Sequence, residues 1–206
     1  MEHIFLHGLG QTPESWDEVT KKLNIKDIRC PNLSALSSVN PLTYAGLYRA
    51  FAEKCDAAEG KIHLCGLSLG GVLALNYGLE HPDRVQSLVL IAAQYRMPKR
   101  TLRIQNGLFR LIPKRMFPQT GLSKEDMISL CASMTELDFS DRLSRIHCPV
   151  LVICGEKDAA NLRASKELAV RLPSAQLKII PCSGHSVNLD QPGKLAELLQ
   201  AFYQIS

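Results

Sequence analysis

Short apolar runs alternate along most of the chain with stretches whose apolar residues recur at three- and four-residue spacing. The runs are His3 to Leu6, Ile62 to Leu67, Val85 to Ala92, Val150 to Cys154 and Gln176 to Ile180, with a shorter one at Asp27 to Cys30 stopped by Pro31. They are too short for ordinary helices, and near-continuous apolar character is what strands buried on both faces require. Tyr44, Leu47, Tyr48, Phe51 and Cys55 mark a helix over Thr43 to Ala58. Further helices are predicted from about Leu69 to Glu80, from roughly Asn161 to Leu172, and from Pro192 to Tyr203. Ser15-Trp16-Asp17-Glu18 has the spacing of a capping box for a helix reaching Leu23, and Ser34 to Pro41 reads as a polar loop. Strands alternating with helices predict a parallel sheet covered on both faces. One region, about Gln94 to His147, breaks the alternation with helical pieces interrupted by Pro98, Gly107, Pro113, Pro118 and Gly121. Between two sheet strands, such an insertion reads as a lid or cap.

Composition narrows the class. A chain of 206 residues with 46% apolar content is expected to form a single domain, 1–206, with the cap insertion at about 94–147. No run approaches the roughly 20 apolar residues that span a bilayer. The first residues enter a strand without a basic region or cleavage pattern, which predicts no signal peptide and a cytoplasmic protein. The seven cysteines are odd in number and form no C-x-x-C pair, which favours reduced thiols over disulfides or zinc. His3, His63, His81 and His147 lack ligand spacing, so no metal is expected.

The candidate chemistry centres on Gly66-Leu67-Ser68-Leu69-Gly70, at the join between an apolar run and a helical pattern. A sharp strand-to-helix turn lifts a serine hydroxyl out of a sheet, and flanking glycines leave room for close backbone approach. The same residues also fit a glycine-bearing turn with a helix-capping serine. Three other stretches bear on the choice. Gly155-Glu156-Lys157-Asp158 follows one predicted strand and presents an acid. Ser183-Gly184-His185 follows the last strand and presents a histidine, while His7-Gly8-Leu9 follows the first and offers a backbone N–H. Chemistry in open parallel sheets gathers at the carboxyl ends of strands, where all four stretches fall.

In these residues, and in their nucleophile–acid–histidine order, the chain resembles the α/β-hydrolase-fold superfamily over almost its whole length. The resemblance implies an α/β-hydrolase fold: a mostly parallel sheet of about six strands with helices on both faces, no N-terminal hairpin and a short helical cap over a shallow or open pocket. It implies Ser68 as nucleophile on a nucleophile elbow, His185 as general base and then acid, and Asp158 as the group orienting the imidazole. The family pattern prefers Asp158 over Glu156, because the functional carboxylate falls three residues after Gly155. The backbone N–H groups of Leu9 and Leu69 would form the oxyanion hole. No cofactor is implied. The expected activity is that of a serine hydrolase, carboxylesterase- or thioesterase-like, acting on small molecules. A carbon–carbon bond hydrolase or lyase using the same triad stays open, as does a hydrolase-fold receptor or protein-docking module with vestigial activity.

Charge adds a second feature. Arg96, Lys99, Arg100, Arg103, Arg110, Lys114 and Arg115 follow one another without an acidic residue, and they exceed the whole net charge of +4. Leu102, Phe109, Ile112 and Met116 form an apolar stripe expected to face the pocket. Arg96, Arg100, Arg103 and Phe109 are therefore the candidate substrate- or partner-facing residues of the cap. The basic run suits an anionic substrate, an acidic carrier protein or an anionic membrane surface. Nucleic acid is not expected, because no aromatic interleaving accompanies the charge. Oligomeric state is not legible.

Overall fold

The computed structural model describes residues 1–36, 41–113 and 121–204. Strands β1 (His3–Leu6), β2 (Ile28–Arg29), β3 (Ile62–Leu67), β4 (Val85–Ile91), β5 (Val150–Gly155) and β6 (Ala175–Ile180) form one sheet. Its order is β2-β1-β3-β4-β5-β6, and every pairing is parallel. The helices are α1 (Asp17–Thr20), α2 (Leu33–Leu36), α3 (Tyr44–Asp56), α4 (Leu69–Glu80), α5 (Lys99–Leu111), α6 (Lys124–Met134), α7 (Ala159–Arg171), α8 (Val187–Asp190) and α9 (Pro192–Tyr203).

Successive strand residues point to opposite faces, and both faces are covered. Ile4, Leu6, Leu64, Leu88, Leu90, Val150 and Val152 pack with apolar residues of α3, α4 and α7. Phe5, Cys65, Leu67, Val89, Ile91, Leu151 and Ile153 pack with Trp16, with Val19 of α1, and with Leu195, Leu199 and Phe202 of α9. This double burial is why the strands read as unbroken apolar runs. From β1 the chain winds outward to β2, then returns to β3 on β1's other side and continues the opposite way. That reversal leaves a crevice beyond the carboxyl ends of β1 and β3, which are followed by His7-Gly8 and by Ser68.

Several local expectations are corrected. Ser15 caps no helix. Pro13 opens a 3-10 turn over Pro13–Trp16, Trp16 is fully buried, and the Ser15 hydroxyl turns to Gln11 Oε1 at 3.4 Å. Leu33–Leu36 is a helical turn where a loop was expected, and the rest of that stretch to Asn40 lies outside the described residues. Helix α7 begins two residues early, because Asp158 caps it by accepting from the Asn161 N–H. Gly107 does not break α5, which runs through it; a mid-helix glycine costs only ~1 kcal/mol.

Between β4 and β5, α5 packs on α6, whose N-terminus carries a complete capping box from Ser123 and Asp126. The two ends of this segment are tied together by backbone hydrogen bonds, from Met97 N–H to Leu137 O (3.0 Å) and from Phe139 N–H to Tyr95 O (2.8 Å). Pro118 and Met116 lie outside the described residues. All seven cysteines are free. No helix among the described residues is long and apolar enough to cross a membrane, and none of their His, Cys, Asp and Glu side chains cluster in threes fit for a metal ion.

Candidate active site

Ser68 joins β3 to α4 with φ 53° and ψ −114°. A non-glycine residue is strained there by ~1–3 kcal/mol, and the surrounding backbone explains why the strain persists. A Cβ on Gly66 would collide with the Gly70 carbonyl group, and one on Gly70 would collide with the backbone of Leu6 at the end of β1. The turn is thus pressed between its own helix and the neighbouring strand. The Ser68 N–H donates to Ile91 O at 2.8 Å, which pins it to β4. The serine heads α4, yet its hydroxyl makes no capping hydrogen bond. The helix-capping reading of Ser68 is therefore overturned, and the hydroxyl borders a cavity instead.

Asp158 follows β5 and His185 follows β6. A Cβ on Gly155 would strike the backbone of Gly184 and Ser183, so the absence of a side chain at 155 lets the acid loop and the histidine loop touch. The Lys157 N–H donates to Ser183 O at 2.9 Å across the same junction. His185 Nδ1 lies 2.8 Å from Asp158 Oδ2. A buried carboxylate only accepts, so Nδ1 carries the proton and Nε2 is left as the basic nitrogen. The Asp158 side chain is 5% exposed, whereas that of His185 is 45% exposed. Burial pushes the Asp158 pKa up, but hydrogen bonds from His185 and Asn161 outweigh it and hold the carboxyl below its usual value. Glu156, the rival acid, is engaged elsewhere: its Oε2 accepts from the Cys182 N–H at 3.1 Å.

A polar framework that sequence reasoning missed surrounds these groups. Asn161 Nδ2 donates to both Asp158 oxygens, at 3.0 and 2.9 Å. Its amide is oriented by Gln94, whose Nε2 donates to Asn161 Oδ1 at 2.7 Å. Asn161 Nδ2 also lies 3.1 Å from His185 Nδ1, but both nitrogens donate to Asp158, so this contact is not a hydrogen bond. Asp190 accepts from the Gly184 N–H at 2.7 Å and braces the histidine loop. Gln11 links the two sides of the crevice: its Oε1 accepts from the Gly8 N–H at 3.2 Å, and its Nε2 donates to buried Asn188 at 3.2 Å. His7 is structural. Its Nδ1 donates to Gly8 O at 2.9 Å, its Nε2 accepts from the Leu33 N–H at 3.1 Å, and burial lowers its pKa. Only the Asp158-x-x-Asn161 spacing, a helix N-cap signature, could have flagged one of these residues.

Leu9, Ser68, Leu69, Asp158 and His185 all border one cavity of about 630 Å³. As the first residue of α4, Leu69 has an N–H with no carbonyl four residues back inside the helix. The remaining wall is mostly apolar: Val72, Met97, Leu102, Phe109, Ile112, Met127 and Met134. The volume lies in the ~300–1,000 Å³ range of small-molecule sites. Phe109, Leu102 and Ile112 line the cavity as expected. Arg96, Arg100 and Arg103 do not. All three are exposed and sit outside the cavity wall: Arg96 precedes α5, in a bridge to Asp138, and helical phase turns Arg100 and Arg103 away from Leu102 and Phe109.

The six parallel strands, the strained serine after the third and the acid–histidine pair after the fifth and sixth define an α/β-hydrolase-fold protein. The chain belongs to the alpha/beta hydrolase family, whose profile matches residues 4–198. It is 26% identical, over 97% of its length and 89% of the relative's, to a Bacillus subtilis (strain 168) protein provisionally named 2-succinyl-6-hydroxy-2,4-cyclohexadiene-1-carboxylate synthase. It is 22% identical to monoacylglycerol lipase abhd6-A of Xenopus laevis, over 97% of this chain and 74% of that one. A thermophilic esterase from Thermogutta terrifontis superposes with a TM-score of 0.80 at 19% identity, covering 100% of this chain and 90% of that chain. Several relatives carry hydrolase or lipase names, the Xenopus laevis lipase among them, which supports hydrolase activity here.

Proposed function

We propose that the chain is a single-domain serine hydrolase that cleaves carboxylic ester or thioester bonds of small molecules with apolar acyl groups, through an acyl-enzyme on Ser68. Segment 94–147 is its cap. The observation that carries the reading is one shared cavity bordered by a strained, uncapped Ser68 and by His185, whose Nδ1 is committed to Asp158. Ser68 Oγ attacks the acyl carbon while His185 Nε2 takes its proton. The Leu9 and Leu69 N–H groups stabilise the oxyanion, a contribution of ~3 kcal/mol per donor. His185 then returns the proton to the departing alcohol or thiol. In the second half, water gives a proton to Nε2 and attacks the acyl-enzyme, and the acid leaves as Ser68 is regenerated.

A carbon–carbon bond hydrolase or lyase reaction with the same residues is the second reading, and the Bacillus subtilis relative carries the name of a synthase, not of a hydrolase. That name describes a carboxylate, which needs a cationic partner in a desolvated site. No Lys or Arg borders the cavity among the described residues. The apolar wall supports a neutral acyl chain instead.

The test is turnover of p-nitrophenyl esters from C2 to C12 and labelling by a fluorophosphonate, on wild type and Ser68→Ala. Turnover and labelling absent from the variant, with an optimum beyond C4, are expected. A folded wild type that neither turns over an ester nor takes the label, yet cleaves a carboxylate-bearing 1,5-diketone, would move the assignment to the second reading.

A further inference from the structure

Helix α5 carries three unlike sectors. Successive residues advance about 100° around a helix axis, so the sectors follow directly from the sequence. Thr101, Leu102, Gln105 and Phe109 face the cavity. Ile104, Leu108 and Leu111, on the adjoining sector, are 66%, 55% and 80% exposed. Lys99, Arg100, Arg103 and Arg110 occupy the third sector, and no Asp or Glu occurs between Pro98 and Leu122. Lys99 pairs with Glu136. Arg100, Arg103 and Arg110 make no ion pair with a described residue. Lys124 adds a cation at the end of the helix, where its Nζ donates to the carbonyls of Arg110 and Ile112 at 2.7 Å each. Beside the basic sector lies a groove of about 440 Å³ between α5 and α6, bordered by Arg103 and Arg110 with open space over Gly107 between them.

Three large aliphatic side chains at i, i+4 and i+7 form one continuous stripe in water, which soluble surfaces seldom carry without a use. An acidic protein patch or a nucleic acid would satisfy the arginines and leave this stripe wet. A purely apolar partner would cover the stripe and strand the cations. The geometry points to an anionic lipid surface as the partner of the outer face of α5. Ile104, Leu108 and Leu111 sink to the acyl boundary while Arg100, Arg103 and Arg110 meet lipid phosphates, the lower-energy arrangement for a helix of this pattern. The stripe is contiguous with the cavity sector. On the ester-hydrolase reading above, a lipid-dissolved ester therefore reaches Ser68 without its acyl chain crossing water; docking itself does not depend on that reading.

The experiment is co-sedimentation of the full chain with phosphatidylcholine vesicles and with equimolar phosphatidylcholine–phosphatidylglycerol vesicles. It uses Ser68→Ala protein, so that binding is read apart from activity. Two triple variants are compared, Ile104→Ser/Leu108→Ser/Leu111→Ser and Arg100→Gln/Arg103→Gln/Arg110→Gln. All six sites are exposed and outside the cavity wall, so circular dichroism and turnover of p-nitrophenyl butyrate, measured with Ser68 intact, should stay unchanged in both. Binding to the anionic vesicles, at least about tenfold weaker to neutral ones and in either variant, supports docking. No sedimentation with anionic vesicles, equal binding to both compositions, or binding that both variants retain would overturn it. So would a concentration-dependent dimer lost only in the serine variant, which would make a second copy of the chain the occupant.

Discussion

The two ends of the sheet both carry histidines, and they treat them in opposite ways. At the carboxyl end, His185 is half-exposed, and its ring is held by a buried carboxylate that accepts from Nδ1. At the amino end, His3 of β1 and His63 of β3 stack face to face at 4.2 Å, with Tyr203 of α9 edge-on to both. Among the described residues His63 has no carboxylate partner, its Nδ1 meeting the Ser87 hydroxyl at 2.7 Å, and His3 Nδ1 has no hydrogen-bond partner. An imidazole becomes a useful base where an acid fixes its tautomer and solvent or substrate can reach it. Where neither holds, it is a flat apolar ring that resists protonation.

The largest effect is expected from breaking the carboxyl-end arrangement at its acid. Asp158→Asn keeps the size and most contacts, but the amide can offer an N–H to Nδ1 and favour the wrong tautomer. The kcat of ester hydrolysis should fall ~10⁴-fold with the fold intact. A loss under tenfold would mean that another group orients His185. Gly155→Ala attacks the same pair through the backbone, since the methyl must displace Gly184 and Ser183. Overpacking against backbone should cost ~3 kcal/mol of unfolding free energy, read by urea denaturation. An unchanged midpoint would show that the histidine loop yields without strain.

Asn161→Ala sharpens the comparison by weakening Asp158 without removing it. The variant loses two donors to the carboxylate, so the Asp158 pKa should rise from its depressed value. The loss of folding stability that Asp158 carries below the usual carboxylate range should be complete at higher pH, and kcat should fall ~10-fold with KM little changed. A purely structural asparagine would lower stability at every pH and leave kcat in place.

Much of this carboxyl end was legible in the sequence, for a physical reason. Strands buried on both faces must be apolar throughout, so the ends of β3 and β5 are visible; edge strand β6 is half-exposed, and its end shows only in Ile179-Ile180 before Pro181. Gly66, Gly70 and Gly155 were legible as well, because contacts this close exclude any side chain. The supporting polar groups were not. Gln11 and Asn188 are 177 positions apart, and nothing local in either distinguishes a buried amide clasp from a surface side chain. The segment between β4 and β5 was half-legible: the spacing of Leu102 and Phe109 found the cavity face, but its total charge said nothing of which way Arg100 and Arg103 point. The start of α1 was misread because Pro13 and the burial of Trp16 outweighed the Ser15 capping signal.

The smallest expected effect tests the amino end. Burial, with lesser contributions from His3 and the N-terminal amine, lowers the His63 pKa from 6.5 to about 4. The unfolded chain then takes up a proton below about pH 6.5 that the folded chain refuses until about pH 4. Stability present above pH 6.5 should therefore decline as pH falls through that window, by on the order of 2 kcal/mol. The depressed pKa of Asp158 has the same sign but acts below the usual carboxylate range, so the two losses separate along the pH axis. Urea denaturation at pH 7 and pH 4.5 measures the decline. The double variant His63→Leu/Ser87→Ala removes the imidazole without stranding the buried Ser87 hydroxyl, and should make the decline between those values shallower, leaving the smaller share carried by His3 and His7, whose pKa values burial also lowers. If the wild type is already flat there, the amino-end pair is protonated in the fold, and the contrast between the two ends of the sheet fails at its simpler end.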